Sequence, residues 1–356
     1  MAVTLRDVAV AANVSVSTAS RALKGSPQIS SETRAVVEKA AAAMSYRPNK
    51  AASALRSNRS QLVGLVLNNL VNASFHTIAE VVQRRLADEG YQLILGTTDA
   101  DPHKERMLLQ TLADHGVDGV IIIGSGQNAS ITNSLLAEGI AVVNAIRSSR
   151  DSAAPTVLAG DRGGAYEATE YLISQGHRQI GFIGGPDTAD SGRERVAGYR
   201  DALERNGLTL DPALILQGPF NQQFGAEAAQ RLLDESPGMT ALFAANHEAV
   251  FGILPTLIAR GITIPDDLSL VCYEDMNLLQ MWQPPISTVD NGAHQLAELS
   301  VDLLLRQIRH RPNPRAGSEA DQGIGRSYRV EARLLNRKSV STAKPELTED
   351  QSGRGM

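Results

Sequence analysis

The chain holds a single cysteine, Cys272, in 356 residues. One thiol excludes an internal disulfide framework and fits a reducing compartment. No apolar run approaches the ~18 residues that a membrane-spanning helix needs. The N-terminus does not read basic, then apolar, then small, as a secretory signal does. A cytoplasmic protein without a membrane partner is expected. Catalytic signatures are missing too. No glycine-rich loop ends in Lys-Ser or Lys-Thr, and Gly124-Ser125-Gly126 lacks the third glycine of a dinucleotide fingerprint. The seven histidines are scattered without metal-ligand spacing, and His177, just after a helix-ending glycine, reads as structural. Neither enzymatic activity nor a cofactor or metal is expected.

What is present begins with an uneven charge. Residues 1–60 carry nine Lys/Arg against three Asp/Glu, a net of +6, which leaves −11 on the rest of a chain whose total is −5. A basic head on an acidic body suits phosphate contact by the head alone. A basic patch without a partner is the plainer alternative. The length accommodates two or three domain-sized units, and 42% apolar with 21% charged residues is ordinary for a globular protein.

Thr4 to Gly25, TLRDVAVAANVSVSTASRALKG, predicts two short helices joined by a tight turn. Thr4 caps the first, with Asp7 in capping-box position, and Leu5, Val8, Ala9 and Ala12 recur at helical spacing. Asn13 tolerates the left-handed backbone of a turn. Ser15 caps a second helix through Thr18, Ala19, Ala22 and Leu23. Such a pair is a helix-turn-helix, whose second helix enters the DNA major groove. Ser30 or Ser31 caps a third helix over about Glu32 to Met44, with Val36, Val37, Ala40 and Met44 on one face, and Pro48 stops it. The alanine-rich stretch 50–57 has helix propensity but almost no apolar face, so it needs a partner or DNA to become helical.

From Leu62 the texture changes to alternating strand and helix. Apolar runs stand at Leu62–Leu67, Tyr91–Leu95, Val117–Ile123, Ile180–Ile183, Ala241–Ala245 and Leu268–Tyr273. Gly90, Gly116, Gly139, Gly176, Gly207 and Gly261 each close a helical segment before such a run, as a C′ glycine does. This predicts an α/β body with parallel sheets. Its ~280 residues exceed what one sheet usually organises, so two lobes are expected, with crossings at Asp161–Gly164 and near Ser287–Asn291. Residues 311–325 read as an exposed loop before a last strand, Tyr328–Leu334. The polar stretch after Asn336 reads as disordered and lacks the leucine heptads of a tetramerising coil.

These segments together resemble the LacI/GalR (lactose-repressor) family of bacterial transcription regulators. The likeness runs through the head TLRDVAVAANVSVSTASRAL, SSETR, YRPN and AASAL, then NASF (72–75), GHRQIGFIGG (176–185), RERVAGYRDAL (193–203), AANHEAVFG (244–252) and the CYED/PPISTV pair (272–275, 284–289). It covers residue 4 to about 340 and is most specific in the first 60. The fold it implies is an N-terminal all-α helix-turn-helix head plus an α/β core of two parallel-sheet lobes, like type I periplasmic binding proteins. The implied boundaries are 1–48 for the DNA-binding domain, 49–60 for a hinge helix and linker, 61–340 for an effector-binding and dimerisation core, and 341–356 for a disordered tail. The first lobe takes about 61–160 and 291–322, the second about 161–290 and 323–340.

The resemblance implies a homodimer reading a pseudo-palindromic double-stranded operator. Val16, Ser17 and Arg21 fall at the reading positions. Arg21 either forks to guanine or meets a phosphate, and Val16 can touch a thymine methyl. Thr4, Ser15, Thr18 and Ser30 either contact phosphates or simply cap helices. Asn49, Ala52, Leu55 and Arg56 belong to the implied hinge, where Leu55 matches a leucine that wedges into the minor groove. Packing of Leu55 on the body is the alternative. The implied effector pocket takes Asn72, Ser74, Phe75 and Ile146 from the first lobe and Arg195, Phe220, Asn246 and Glu274 from the second. Arg195 is expected to hold its guanidinium free for the cleft.

Several positions depart from the family pattern. Ile146 stands where the family often has a carboxylate, His247 where it has aspartate, Glu274 where it has a shorter acid, and Ala73 where it has proline. One carboxylate fewer beside Arg195 suits an acidic ligand such as a sugar acid, so a sugar or sugar acid is the expected effector and the expected function is that of a repressor. Two rivals stand beside this reading: a ligand-binding protein of the periplasmic type without a regulatory role, and an enzyme built on the α/β body.

Overall fold

In the computed structural model, which describes residues 3–23, 25–46, 59–147, 151–310 and 325–343, Thr4 starts the first helix as the sequence predicts. Its hydroxyl accepts the Asp7 amide while Asp7 Oδ2 accepts the Thr4 amide at 2.8 Å, a complete capping box. The chain forms two compact units, Met1–Gln61 and Leu62–Met356. The first holds α1 (Leu5–Ala11), α2 (Val16–Leu23) and α3 (Ser31–Ala43). Asn13 turns the chain between α1 and α2 at φ +50°. Small side chains let the three helices meet closely: Val8, Ala9, Ala12, Ala19, Ala22, Val37 and Ala41 are buried together. Val36, expected on the inner face of α3, is 48% exposed instead. Val37 and Ala41, four residues apart, take that face.

The second unit alternates strand and helix. In order it comprises β1 (Leu62–Leu67), α4 (Ala73–Asp88), β2 (Gln92–Thr97), α5 (Pro102–Asp114), β3 (Gly119–Ile122), α6 (Ala129–Ala137), β4 (Ala141–Ala145), β5 (Thr156–Ala159), α7 (Asp161–Ser174), β6 (Ile180–Gly184), α8 (Asp190–Arg205), β7 (Ile215–Gln217), α9 (Gln222–Glu235), β8 (Ala241–Ala244), α10 (His247–Ala259), β9 (Ser269–Tyr273), α11 (Asn277–Met281), β10 (Ser287–Asp290), α12 (Ala293–Arg309), β11 (Ser327–Val330) and β12 (Arg333–Leu335). All six glycines expected to end helices take left-handed backbones, φ +66° to +91°.

Two six-stranded sheets result, ordered β11-β5-β4-β3-β1-β2 and β12-β10-β9-β8-β6-β7. Every pairing is parallel except β10 with β12. In the first, Val63 lies opposite Leu93 and Gly119, so both faces of β1 are interior. That explains its unbroken apolar run, since parallel sheets are covered on both sides. Helices α4 and α12 cover one face and α5 and α6 the other. In the second lobe α9 and α10 cover one face and α7 and α8 the other.

Three expectations change. Residues 323–340 do not all belong to the second lobe, because β11 pairs with β5 in the first sheet while β12 pairs with β10 in the second. The single strand expected over Tyr328–Leu334 is therefore two, split where the chain changes lobes at 331–332. Ser287–Asp290 is a strand, and the second crossing falls just after it, at 291–292, as the first falls at 160–161. The residues following Asn336, expected to be disordered, are ordered as far as 343, and this includes the start of the tail placed at 341–356. Ser339 is fully buried, its hydroxyl donating to Leu270 O at 2.5 Å and accepting the Ser287 amide at 2.8 Å. Hydrogen bonds rather than an apolar stripe hold this segment, so hydrophobic periodicity carried no sign of it. His177 is structural as expected: its ring bridges Thr240 Oγ1 at 2.9 Å and Ser341 O at 3.0 Å. Asn49, Ala52, Leu55 and Arg56, with the expected hinge helix, lie outside the described residues, as do 311–324 and 344–356.

Candidate functional site

The head presents its reading side chains at the start of α2. Ala19 and Ala22 face inward, which turns Val16, Ser17 and Arg21 outward, Val16 with 43% of its surface open. Arg21 Nε reaches Ser17 O at 3.4 Å, a bond that leaves out both terminal nitrogens. Three of the expected hydroxyls are engaged in capping. Ser15 Oγ accepts the Thr18 amide at 3.1 Å and meets the hydroxyls of Ser17 and Thr18 at 2.8 Å, and Ser30 Oγ accepts the Thr33 amide at 3.2 Å. With Thr4 held by Asp7, capping is the role the geometry gives Thr4, Ser15 and Ser30.

In the core unit, a cavity of about 740 Å³ opens between the lobes. Asn72, Phe75, Ile146, Arg195, Phe220, Asn246 and Glu274 all line it. Ser74 does not: it is buried and accepts a hydrogen bond from Asn291 Nδ2 at 3.0 Å, tying α4 to the second crossing. The strand-to-helix turns explain the convergence. Asn72 and Asn246 are the N-caps of α4 and α10, their Oδ1 atoms accepting Ser74 N at 2.9 Å and Ala249 N at 2.8 Å. Each helix thus begins at the mouth of a strand's carboxyl end, where ligands of such sheets sit. Phe220 lies against Gly185, where a Cβ would stand 2.0 Å from the ring. Ile146 and Glu274 line the cavity with φ of +66° and +76°, an uncommon state for any residue but glycine and rarest for a β-branched one such as Ile146.

Arg195 is not free, contrary to expectation. It is 4% exposed, donates to Asp161 Oδ1 and Ala245 O at 2.7 Å each, lies 3.7 Å from Glu274 Oε1 and stacks 3.7 Å over the Tyr273 ring. Burial opposes its charge, but Asp161 and Glu274 outweigh it and raise the pKa. Burial would likewise raise the Glu274 carboxyl, yet His247 and Arg195 bring it down to about 2. Glu274 Oε2 meets His247 Nδ1 at 2.5 Å, and this carboxylate overcomes burial to raise the imidazole pKa. His247 Nε2 accepts the Ala73 amide at 3.5 Å, from the first lobe. Three departures from the family pattern thus interlock. Alanine at 73 supplies an N–H that proline lacks, His247 accepts it, and the longer acid at 274 reaches His247.

Sequence reasoning missed Arg147, Glu248, Asp99, Asp190 and Arg193, which also line the cavity. With the Asn68 amide oriented to satisfy its neighbours, Arg147 Nη1 and Nη2 donate to Asn68 Oδ1 at 3.0 and 3.2 Å, and Nη1 also reaches Gly124 O at 3.4 Å. Beneath that loop the buried Glu105 accepts the Ser125 amide at 2.5 Å. Burial lowers the Arg147 pKa, against the pull of Asp190 and Glu105. Burial raises Glu248, helped by Glu274 and opposed by His247 and a hydrogen bond from Asn72. Among the described residues no His/Cys/Asp/Glu group could hold a metal, and no helix is long and apolar enough to cross a membrane.

The family model for periplasmic binding proteins and the sugar-binding domain of the LacI family matches residues 60–338, and that for bacterial regulatory proteins of the lacI family matches 4–49. The chain belongs to the LacI family. It is 33% identical to the HTH-type transcriptional regulator DegA of Bacillus subtilis over 81% of this chain and 86% of that one. It is 29% identical to the HTH-type transcriptional repressor PurR of Haemophilus influenzae (strain PittEE) over 95% and 99%. Among solved structures, the transcriptional regulator CelR in complex with cellobiose superposes with a TM-score of 0.70 at 28% identity, covering 95% of this chain and 99% of that one. As a LacI-family member the chain is a DNA-binding, helix-turn-helix transcription regulator on a periplasmic-binding-protein-like core, in a regulatory rather than enzymatic family.

Proposed function

We propose that this LacI-family regulator works in the cytoplasm as a homodimeric repressor, reading a pseudo-palindromic operator with Val16, Ser17 and Arg21 of α2 and binding a small sugar or sugar acid in the cleft. The observation that carries this is the convergence of residues from both lobes on one cavity, in a chain whose head exposes a recognition helix. CelR is a relative of similar fold with cellobiose bound, which supports a saccharide-sized occupant here. Asn49, Ala52, Leu55 and Arg56 complete the proposed DNA grip through the hinge. Ligand and operator affinities are then coupled, by about 1–3 kcal/mol in allosteric proteins of ordinary strength.

The test uses the full chain and a duplex selected from a random pool. Fluorescence anisotropy should show a palindromic preference, with Arg21→Ala weakening binding by about 1–3 kcal/mol, or ~10–100-fold. Sedimentation of the complex should give two chains per duplex. A chain that selects no duplex, yet binds sugars, would favour the ligand-binding reading without regulation.

A further inference from the structure

We propose that the cleft is built for a ligand carrying one negative charge on a hydroxylated frame, a sugar acid rather than a neutral sugar, and that Arg147 is the residue that grips the charged group. The inference rests on the effector-cleft reading above and narrows it. Arg195, the arginine expected to meet the ligand, has its charge met by Asp161 and Glu274. Of the other charges around the cavity, all but Glu248 also have partners. Glu274 is paired with His247, Asp190 with Arg193, and Asp99 with Lys104 at 2.6 Å.

Arg147 differs. It ends up half-buried on the cavity wall, just after β4, and its recorded hydrogen bonds go to the neutral Asn68 and Gly124 oxygens. Among the described residues no carboxylate forms an ion pair with it. A guanidinium withdrawn from water without a counter-charge is costly. An anionic group entering the cleft supplies that counter-charge, and the planar fork of the guanidinium suits a carboxylate.

A second, independent group points into the same space. Asn246 is 3% exposed, its Oδ1 is spent on the Ala249 amide, and its Nδ2 has no partner. A buried amide without an acceptor marks a place where a ligand oxygen belongs. Glu248, two residues along, adds an acceptor for ligand hydroxyls on the second lobe. It also sets the charge of the ligand. A cation outside any ion pair and the Glu248 carboxylate on the same cavity suit a monoanion with hydroxyls, whereas a phosphate dianion would add a second negative charge to a cavity that Glu248 and Asp190 also line.

The test is calorimetric titration of the full-length protein with D-gluconate and D-galacturonate, against D-glucose, D-galactose and 6-phospho-D-gluconate, repeated for Arg147→Gln and Arg147→Lys. One of the two acids should bind about tenfold to hundredfold tighter than the neutral sugar of its frame, the span of one charge-assisted hydrogen bond. Arg147→Gln should erase that preference, bringing the acid's affinity to that of the neutral sugar of its frame in the same variant, and Arg147→Lys should keep part of it. Circular dichroism of both variants separates loss of the grip from loss of the fold, and the lysine variant reads the charge if the glutamine variant does not fold. A neutral sugar or the phosphate binding tightest, or acid binding untouched in Arg147→Gln, would overturn the assignment to Arg147 while leaving the effector cleft in place. If no sugar binds, acidic or neutral, both readings fall.

Discussion

The two lobes meet the same cavity with opposite electrostatic habits. The second lobe brings a closed set of charges, Arg195 between Asp161 and Glu274, with His247 beyond. The first brings Arg147, which among the described residues donates to neutral oxygens. They also pack differently. In the second lobe α9 and α10 touch backbone to backbone, since a Cβ on Gly252 would lie 2.0 Å from Gln222 O and one on Gly225 2.2 Å from Ala249 O. In the first lobe, α4 and α12 meet through long side chains, Arg85 reaching Asp302 at 2.9 Å and Glu298. The second lobe holds its arginine between carboxylates, and the first supplies the cation outside any ion pair among the described residues.

The sharpest way to break this contrast is to open the closed set. Asp161→Ala leaves Arg195 buried without its nearest carboxylate and should cost about 3–5 kcal/mol in urea unfolding. The lone tryptophan, Trp282, packs against the second-lobe core and reports that unfolding directly. Gly252→Ala tests the close helix pair by overfilling it, with an expected loss of about 1–3 kcal/mol. Arg147→Gln, on the other wall, should cost at most about 1 kcal/mol, because the hydrogen bonds it loses are offset by removing a charge held outside any ion pair. Equal losses for Asp161→Ala and Arg147→Gln would erase the distinction between the lobes.

Acid sharpens the same comparison. The Glu274 pKa is about 2 in the folded chain against an ordinary 4.5. A lowered folded pKa means the stability it contributes is complete above pH 4.5 and is lost as pH falls toward 2. Trp282 fluorescence against pH should show this loss equally in the wild type and in Arg147→Gln. The smallest expected effect belongs to Ala73→Pro. Residue 73 opens α4, where proline is tolerated, so only the long bond to His247 disappears, at under about 1 kcal/mol.

Where a signal is local, the sequence carried it. The capping box at Thr4, the turn at Asn13 and the six helix-ending glycines depend on neighbours within a few residues, and each stands where it was read. The long apolar strands were equally plain. The strands β4, β5, β7 and β10 were not, because polar residues break their short apolar runs: Asn144 in β4, Thr156 in β5, Gln217 in β7, and Ser287 and Thr288 in β10. The ordered segment 337–343 escaped because polar bonds such as those of Ser339 hold it. In the cavity, the family resemblance brought Asn72, Phe75 and Asn246 to the lining. The state of Arg195 was illegible, since its partner Asp161 lies 34 positions away. Arg147 went unnoticed beside Ile146, because its significance lies in an ion pair that it does not make among the described residues, which only the folded chain reveals.

The divided ending of the chain, β11 in one sheet and β12 in the other, has a consequence for synthesis. The core of the first lobe contains Leu296, Val301 and Leu304 of α12, and its sheet is closed by β11. A ribosome therefore releases β1 early but must finish most of the second lobe before the first can complete itself. Domains that fold as they emerge gain protection in order of synthesis; here the first lobe to be made is the one that waits. Its β5 edge is covered by a strand made only after most of the second lobe, so premature termination anywhere before Val330 leaves both sheets without their last strand.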